Sequence, residues 1–142
     1  MKFILGSEKD FSDFVDLINK EDRVGIITHT DLDGVASAIF LEKILESKGI
    51  KVSKILFLKY ELGMFDNPIL LLKQNKISKL FLTDMNADEA DLLGFEKLRK
   101  TFDCFLIDHH PINDNLINRK NIIKNETNDC SAFVLYNLAK LC

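Results

Sequence analysis

Apolar residues recur along this chain in two rhythms, short unbroken runs and stretches at helical spacing. Residues 24–28, 50–58, 80–84, 102–107 and 121–124 hold the runs, rich in Val, Ile, Leu and Phe, and read as buried strands. Between them apolar positions repeat every three or four residues. Ser7-Glu8-Lys9-Asp10 has capping-box form, and Phe11, Phe14, Val15 and Ile18 follow at helical spacing, which predicts a helix ending near residues 19–22 with its aromatics in the core. A second helix is expected over 35–46, carrying Ala36, Ile39, Phe40, Ile44 and Leu45 and stopped by Ser47-Lys48-Gly49. Residues 63–68 read as a loop and 69–74 as a short helix. Met85-Asn86-Ala87-Asp88 opens another helix, with Asp88 as a helix-start acid and Glu89 and Asp91 on its solvated face. The last helix is expected over 132–141, with Asp129 and Ser131 assigned to capping it.

Strand and helix alternate throughout, which predicts an α/β fold with a mostly parallel five-stranded sheet and helices on both faces. The polar residues that interrupt the pattern are concentrated at strand ends. The first strand runs into His29, Asp31 and Asp33 at alternate positions, with Gly34 opening the next helix. The third runs into Asp84, and the fourth into Asp108-His109-His110. All three histidines of the chain therefore fall at predicted strand ends, together with acids. One acid is explained as a helix cap; three clustered nitrogen and oxygen ligands are better explained by a cation or phosphate site. The small residues Gly34, Ala36, Ser37 and Ala38 let the helix start close to the strand and leave its amino end free to face an anion. The second strand ends in Lys59-Tyr60-Glu61 and brings no such cluster. If strands one, three and four build one site they are neighbours, giving the order 2-1-3-4-5 with the site at the switch point of the sheet.

Composition narrows this picture. The 142 residues suit one domain, 1–142, and 46% hydrophobic content with mean hydropathy +0.01 is ordinary for a soluble protein. A net charge of −3 argues against a broadly basic nucleic-acid surface. No apolar run reaches membrane-spanning length, and the N-terminal apolar stretch is too short for a secretory signal. Cys104, Cys130 and Cys142 are odd in number and lack a C-x-x-C, so they read as reduced thiols of a cytoplasmic protein, with Cys104 in the core.

His29-Thr30-Asp31-Leu32-Asp33-Gly34, then Leu82-Thr83-Asp84, then Ile107-Asp108-His109-His110 together resemble the first three motifs of the DHH phosphoesterase superfamily. The H-x-D-x-D-G form is most similar to archaeal RecJ-like proteins, and residues 128–141 resemble the helix that follows their third motif. The resemblance implies a two-metal phosphodiesterase, most readily a single-strand nucleic-acid exonuclease using two Mn²⁺ or Mg²⁺ ions. His29, Asp31, Asp33, Asp84 and His109 would be metal ligands, with Asp84 bridging. Asp108 and His110 would contact phosphate or support the ligands, His110 reaching a phosphoryl or leaving oxygen. Carboxylates with imidazole suit Mn²⁺, and two ions roughly 3.5–4 Å apart activate water and neutralise phosphoryl oxygens.

In RecJ-type proteins a fourth motif with another metal-binding Asp, and then a substrate-gripping domain, come beyond the point where these residues stop. The resemblance therefore implies either that these residues are a piece of a longer polypeptide or, the reading favoured here, that a second polypeptide supplies that half in a hetero-oligomer. It would dock along the last helix through Phe133, Val134, Leu138 and Leu141 and bring basic residues for single-stranded DNA or RNA. No membrane role is expected. Rival readings are a non-catalytic replication scaffold of the RecJ-like kind, a small-substrate phosphatase or pyrophosphatase of the same superfamily, a haloacid-dehalogenase-type phosphatase, and a receiver domain. The dehalogenase reading leaves Asp108-His109-His110 idle, and the receiver reading needs a Lys after the fifth strand that has no convincing match. Scaffold members lose motif acids, whereas these are intact.

Overall fold

Five strands, β1 (Val24–His29), β2 (Val52–Leu58), β3 (Lys79–Thr83), β4 (Asp103–Asp108) and β5 (Ile122–Lys124), pair in parallel in the order β2-β1-β3-β4-β5. This is the order expected from the chemistry of the strand ends. The computed structural model describes residues 3–140.

Side chains alternate across the sheet and feed two apolar layers. Val24, Ile26, Phe81, Phe105, Ile107 and Ile123 face α1 (Glu8–Asp16), α2 (Leu32–Ser47) and α6 (Ser131–Ala139). Ile27, Leu80, Leu82, Cys104, Leu106 and Ile122 face α3 (Asp66–Gln74), α4 (Ala87–Ala90) and α5 (Leu92–Thr101). Phe11 and Phe14 of α1 meet Phe81 and Phe105 at centroid distances of 5.2 to 6.2 Å, so the aromatics of the first helix are core. Cys104 is buried, and burial pushes its thiol up to about 12.

Several boundaries move, each for a local reason. The first helix stops at Asp16, although Ser7 caps it as expected by accepting from the Asp10 amide. The second helix begins at Leu32 because Asp31 caps it, its carboxylate accepting from the Gly34 amide at 2.9 Å. That bond satisfies one of the amides at the helix's amino end from within the chain. The third helix starts earlier than expected, at Asp66, since Pro68 falls in the first turn where no amide is required. The segment after β3 is two helices and not one: Asp91 breaks it, capping α5 at the Gly94 amide. Asp91 is thus buried and not solvated, and Asp88 is buried as well. A short 3-10 turn at Asp114–Leu116 precedes β5.

At α6 the expected caps do other work. The helix opens at Cys130 with no side-chain cap of its own. Asp129 instead accepts from the Asn125 amide group, and Ser131 turns toward the sheet. Val134 and Leu138 are core residues, so they are not open to a partner; Phe133 is 46% exposed and Leu141 lies outside the described residues, as does Cys142. No helix among the described residues is long and apolar enough to cross a membrane.

Candidate metal centre

The carboxyl ends of β1, β3 and β4 carry the site. At β1 the chain leaves the strand at His29 and enters α2 at Leu32, and the turn is tight because Gly34 lies against β1. A Cβ on Gly34 would fall 2.2 Å from the His29 carbonyl oxygen. The Thr28 hydroxyl donates to the Gly34 carbonyl at 2.7 Å and accepts from Thr83, pinning the first turn of the helix between β1 and β3. The small residue after the acids therefore serves the close approach inferred from the sequence.

That turn brings His29 Nδ1 to 2.9 Å from Asp31 Oδ2. Burial opposes the Asp31 charge, but the Gly34 amide and His29 hold its carboxyl below the ordinary carboxylate range. Asp33 points toward α6 and substitutes for the cap that helix lacks. Its two oxygens accept from the Ser131 and Ala132 amides at 2.8 Å each, a favourable use of a carboxylate at a helix amino end. Its Oδ2 still lies 3.6 Å from His109 Nε2.

Asp84 is the centre of the arrangement. It follows β3 in a left-handed conformation with φ 55°, its amide still bonded to the Ile107 carbonyl. One carboxylate oxygen accepts from the Ser131 hydroxyl and lies 3.3 Å from His109 Nε2. The other oxygen is buried with no hydrogen-bond partner, as is His109 Nδ1. Burial first, and then the facing charges of Asp33, Asp31 and Asp108, push the Asp84 carboxyl up to about 6 against the pull of His109. The bond to Asp84 in turn raises the His109 imidazole, with burial opposing.

Two ligand groups share this residue. The ligand atoms of His29, Asp31 and Asp84 lie within 4.8 Å of one another, and so do those of Asp84, His109 and His110. An unpaired buried carboxylate oxygen and an unpaired ring nitrogen in an acidic cluster fit a divalent cation, and the absence of a thiol from either group favours Mn²⁺ or Mg²⁺ over a thiolate-selected metal. Of the seven residues singled out in the sequence, five fall in these groups. Asp33 stands beside them, and Asp108 lies one layer deeper.

Asp108 is fully buried and binds His110 Nδ1 at 2.7 Å. Burial would raise its carboxyl, yet His110 and Lys124 hold it at about 2. Lys124, also fully buried, lies 3.0 Å from Asp108 and 2.7 Å from Asp88, and donates to the Pro111 carbonyl at 2.9 Å. Asp88 lies in the first turn of α4, as expected, and is also half of an internal ion pair. The signal for this was present in the sequence: one lysine closes an apolar strand at the acid-rich edge.

Tyr60 is the residue that the sequence pattern passes over, because β2 brings no acid. Its ring stacks on His29 with centroids 4.0 Å apart and 7° between planes. Its hydroxyl donates to the Asp84 carbonyl at 2.9 Å and lies 3.3 Å from His110 Nε2. Burial and the surrounding carboxylates raise its phenol, so it remains a donor.

Comparison with known proteins agrees with this geometry. No curated protein matches by sequence. Among solved structures, a manganese-bound exonuclease RecJ superposes with a TM-score of 0.74 at 13% identity, covering 98% of this chain and 37% of the other. RecJ of Thermus thermophilus in complex with Mn²⁺ gives 0.66 at 13% identity, covering 93% and 20%. CDC45 of Entamoeba histolytica gives 0.60 at 15% identity, covering 95% and 30%. The chain thus spans well under half the length of these structures, and at such identities the likeness is one of fold. The model of the N-terminal domain of the DHH family matches residues 23–141, which takes in every strand end described above, and the chain accordingly belongs to the DHH family.

Proposed function

We propose that this chain is the catalytic domain of a divalent-metal-dependent phosphodiesterase acting on single-stranded nucleic acid from an end. The observation that carries the reading is Asp84, a buried carboxylate with one unpaired oxygen, common to two ligand groups. His29 and Asp31 would complete the ligands on one side and His109 on the other, with Asp33 close enough to His109 to join it and His110 beside them. Held there, two Mn²⁺ or Mg²⁺ ions would supply Lewis acidity toward phosphoryl oxygens and an activated water.

The chain's own residues supply position and charge. Asp84 would serve both groups as a carboxylate. Asp33 ties the α2 end of the site to the α6 end through two backbone amides, which keeps both walls at fixed spacing. Asp108 orients the His110 ring through Nδ1, leaving the Nε2 side toward the site for a phosphoryl or leaving oxygen. Grip on a polyanion is assigned to basic residues outside these 142, on the same polypeptide or on a partner. The reading is supported by the net charge of −3 and by the acidity of the strand ends.

The test is Mn²⁺-dependent hydrolysis by the purified chain, alone and with proteins that copurify from its native host. Single-stranded DNA, RNA and pyrophosphate are the substrates, and Asp84→Ala is the control. Stepwise release of mononucleotides that Asp84→Ala lacks is the expected result. Hydrolysis of pyrophosphate but of neither oligonucleotide would replace the nucleic-acid assignment, and no metal-dependent hydrolysis in any mixture would overturn the enzymatic one.

A further inference from the structure

Tyr60 touches both ligand groups at once. Its ring lies flat on His29, which belongs to one group, and meets the His110 ring of the other edge-on, at 5.6 Å and 89°. Its hydroxyl bonds the carbonyl of Asp84, the residue common to both. A stacked ring allows His29 few orientations. The Asp84 backbone is in the left-handed region, which a non-glycine residue keeps only when neighbours enforce it. The Tyr60 hydroxyl is one such neighbour, and the Asp84 amide bonded to the Ile107 carbonyl at 3.0 Å is another.

We propose that Tyr60 is a positioning residue of the metal centre, fixing the His29 and His110 rings on either side of Asp84 so that both ligand groups form already oriented. The role rests on the metal-dependent reading above. It follows from where β2 ends: as the edge strand beside β1, it delivers no ligand, but its first residues beyond the strand fold over the ends of β1, β3 and β4. Residues that orient metal ligands commonly change metal affinity by about 10- to 100-fold when removed.

The experiment is Mn²⁺ titration calorimetry on the full chain, comparing wild type with Tyr60→Leu and Tyr60→Phe, with thermal unfolding of each metal-free protein alongside. Tyr60→Leu removes ring and hydroxyl, and Mn²⁺ affinity should fall by about 10-fold or more while the protein still unfolds cooperatively. Tyr60→Phe keeps the stack, so the His29 ring signal in the histidine ¹H–¹⁵N spectrum of the metal-free protein should stay in place while that of His110 moves. A folded Tyr60→Leu with wild-type Mn²⁺ affinity overturns the role and leaves the metal centre standing. Should Tyr60→Leu not fold, an unmoved His110 signal in Tyr60→Phe overturns it instead. A wild-type chain that takes up no Mn²⁺ overturns the metal centre itself, and this role with it.

Discussion

At the carboxyl edge of one sheet, two sets of carboxylates, one wholly buried and one only partly so, meet opposite treatment. Asp88 and Asp108 close on Lys124, which is as buried as they are and carries the compensating charge inside the fold. Asp84, only four residues before Asp88, faces Asp31 and Asp33 across the strand ends. Among the described residues its ion-pair partner is His109, and no Lys or Arg joins it. The two carboxyls differ accordingly: Asp108 is held at about 2, and Asp84 is pushed up to about 6. Burying charge is expensive unless it is paired, so the first set reads as architecture and the second as a place prepared for a cation. The same edge thus separates acids that hold the fold from acids that hold a ligand, by whether the chain itself supplies the positive charge.

The comparison breaks most completely at Asp84. Asp84→Ala should abolish Mn²⁺-dependent hydrolysis while circular dichroism remains that of the folded protein. Near-normal turnover in that variant would remove Asp84 from the centre.

On the architectural side, Lys124→Met leaves Asp88 and Asp108 buried together without a cation, and the loss should be about 3–5 kcal/mol of stability. Urea denaturation measures it. A loss under about 1 kcal/mol, the scale of an exposed pair, would mean that solvent reaches these groups and that the contrast between the two sets is smaller than the structure implies.

The histidines sharpen the distinction within the site. His29→Ala should lower Mn²⁺ affinity by about 10-fold or more, whereas His110→Ala, whose ring is anchored by Asp108, should retain metal and lose mainly kcat. Equal loss of metal in both variants, measured on dialysed protein, would make His110 a ligand on the same footing as His29. Its place in one of the two ligand groups permits that outcome.

The smallest effect is on the pH dependence of stability. A carboxyl whose folded value is about 6 against 3.8 ordinarily binds its proton more tightly when folded. Its contribution to stability is therefore fully present below pH 3.8 and is lost as pH rises through about 6. His109, also raised, acts with the same sign. Metal-free wild type should thus gain several degrees in Tm relative to Asp84→Asn between about pH 8 and about pH 5, on the order of 4 °C for each kcal/mol. Added Mn²⁺ should reverse the slope, since metal and proton compete for the same oxygens. A difference between the two proteins that does not change with pH would mean that Asp84 titrates normally.

Much of this was legible in the residues. Apolar runs ending in His29, Asp84 and Asp108 required those three strand ends to be adjacent, and with the acid-free second strand set outside and the fifth beyond the fourth the sheet order followed. Each of these signals is local, a run of side chains and the polar residue that ends it, so the one-dimensional pattern carries it. The helix boundaries that shifted, at Leu32 and Asp91, did so through capping bonds two or three residues away, which compete closely with neighbouring alternatives.

What the sequence determined, then, is the alternation of elements, the two-sided core and the gathering of acids and histidines at one edge, because each is written in spacing along the chain. What only the tertiary structure decided is the use to which each acid is put. Asp33 and Ser131 are 98 residues apart, and Asp88 and Lys124 36 apart. No periodicity encodes whether a carboxylate will meet a helix amide, a buried lysine or another carboxylate. That outcome depends on which strand ends the sheet brings together and on how many of the charges there find a partner of opposite sign. Tyr60 shows the same limit from the other side: nothing in Lys59-Tyr60-Glu61 marks a site, and only the packing of β2 against β1 lays its ring on His29.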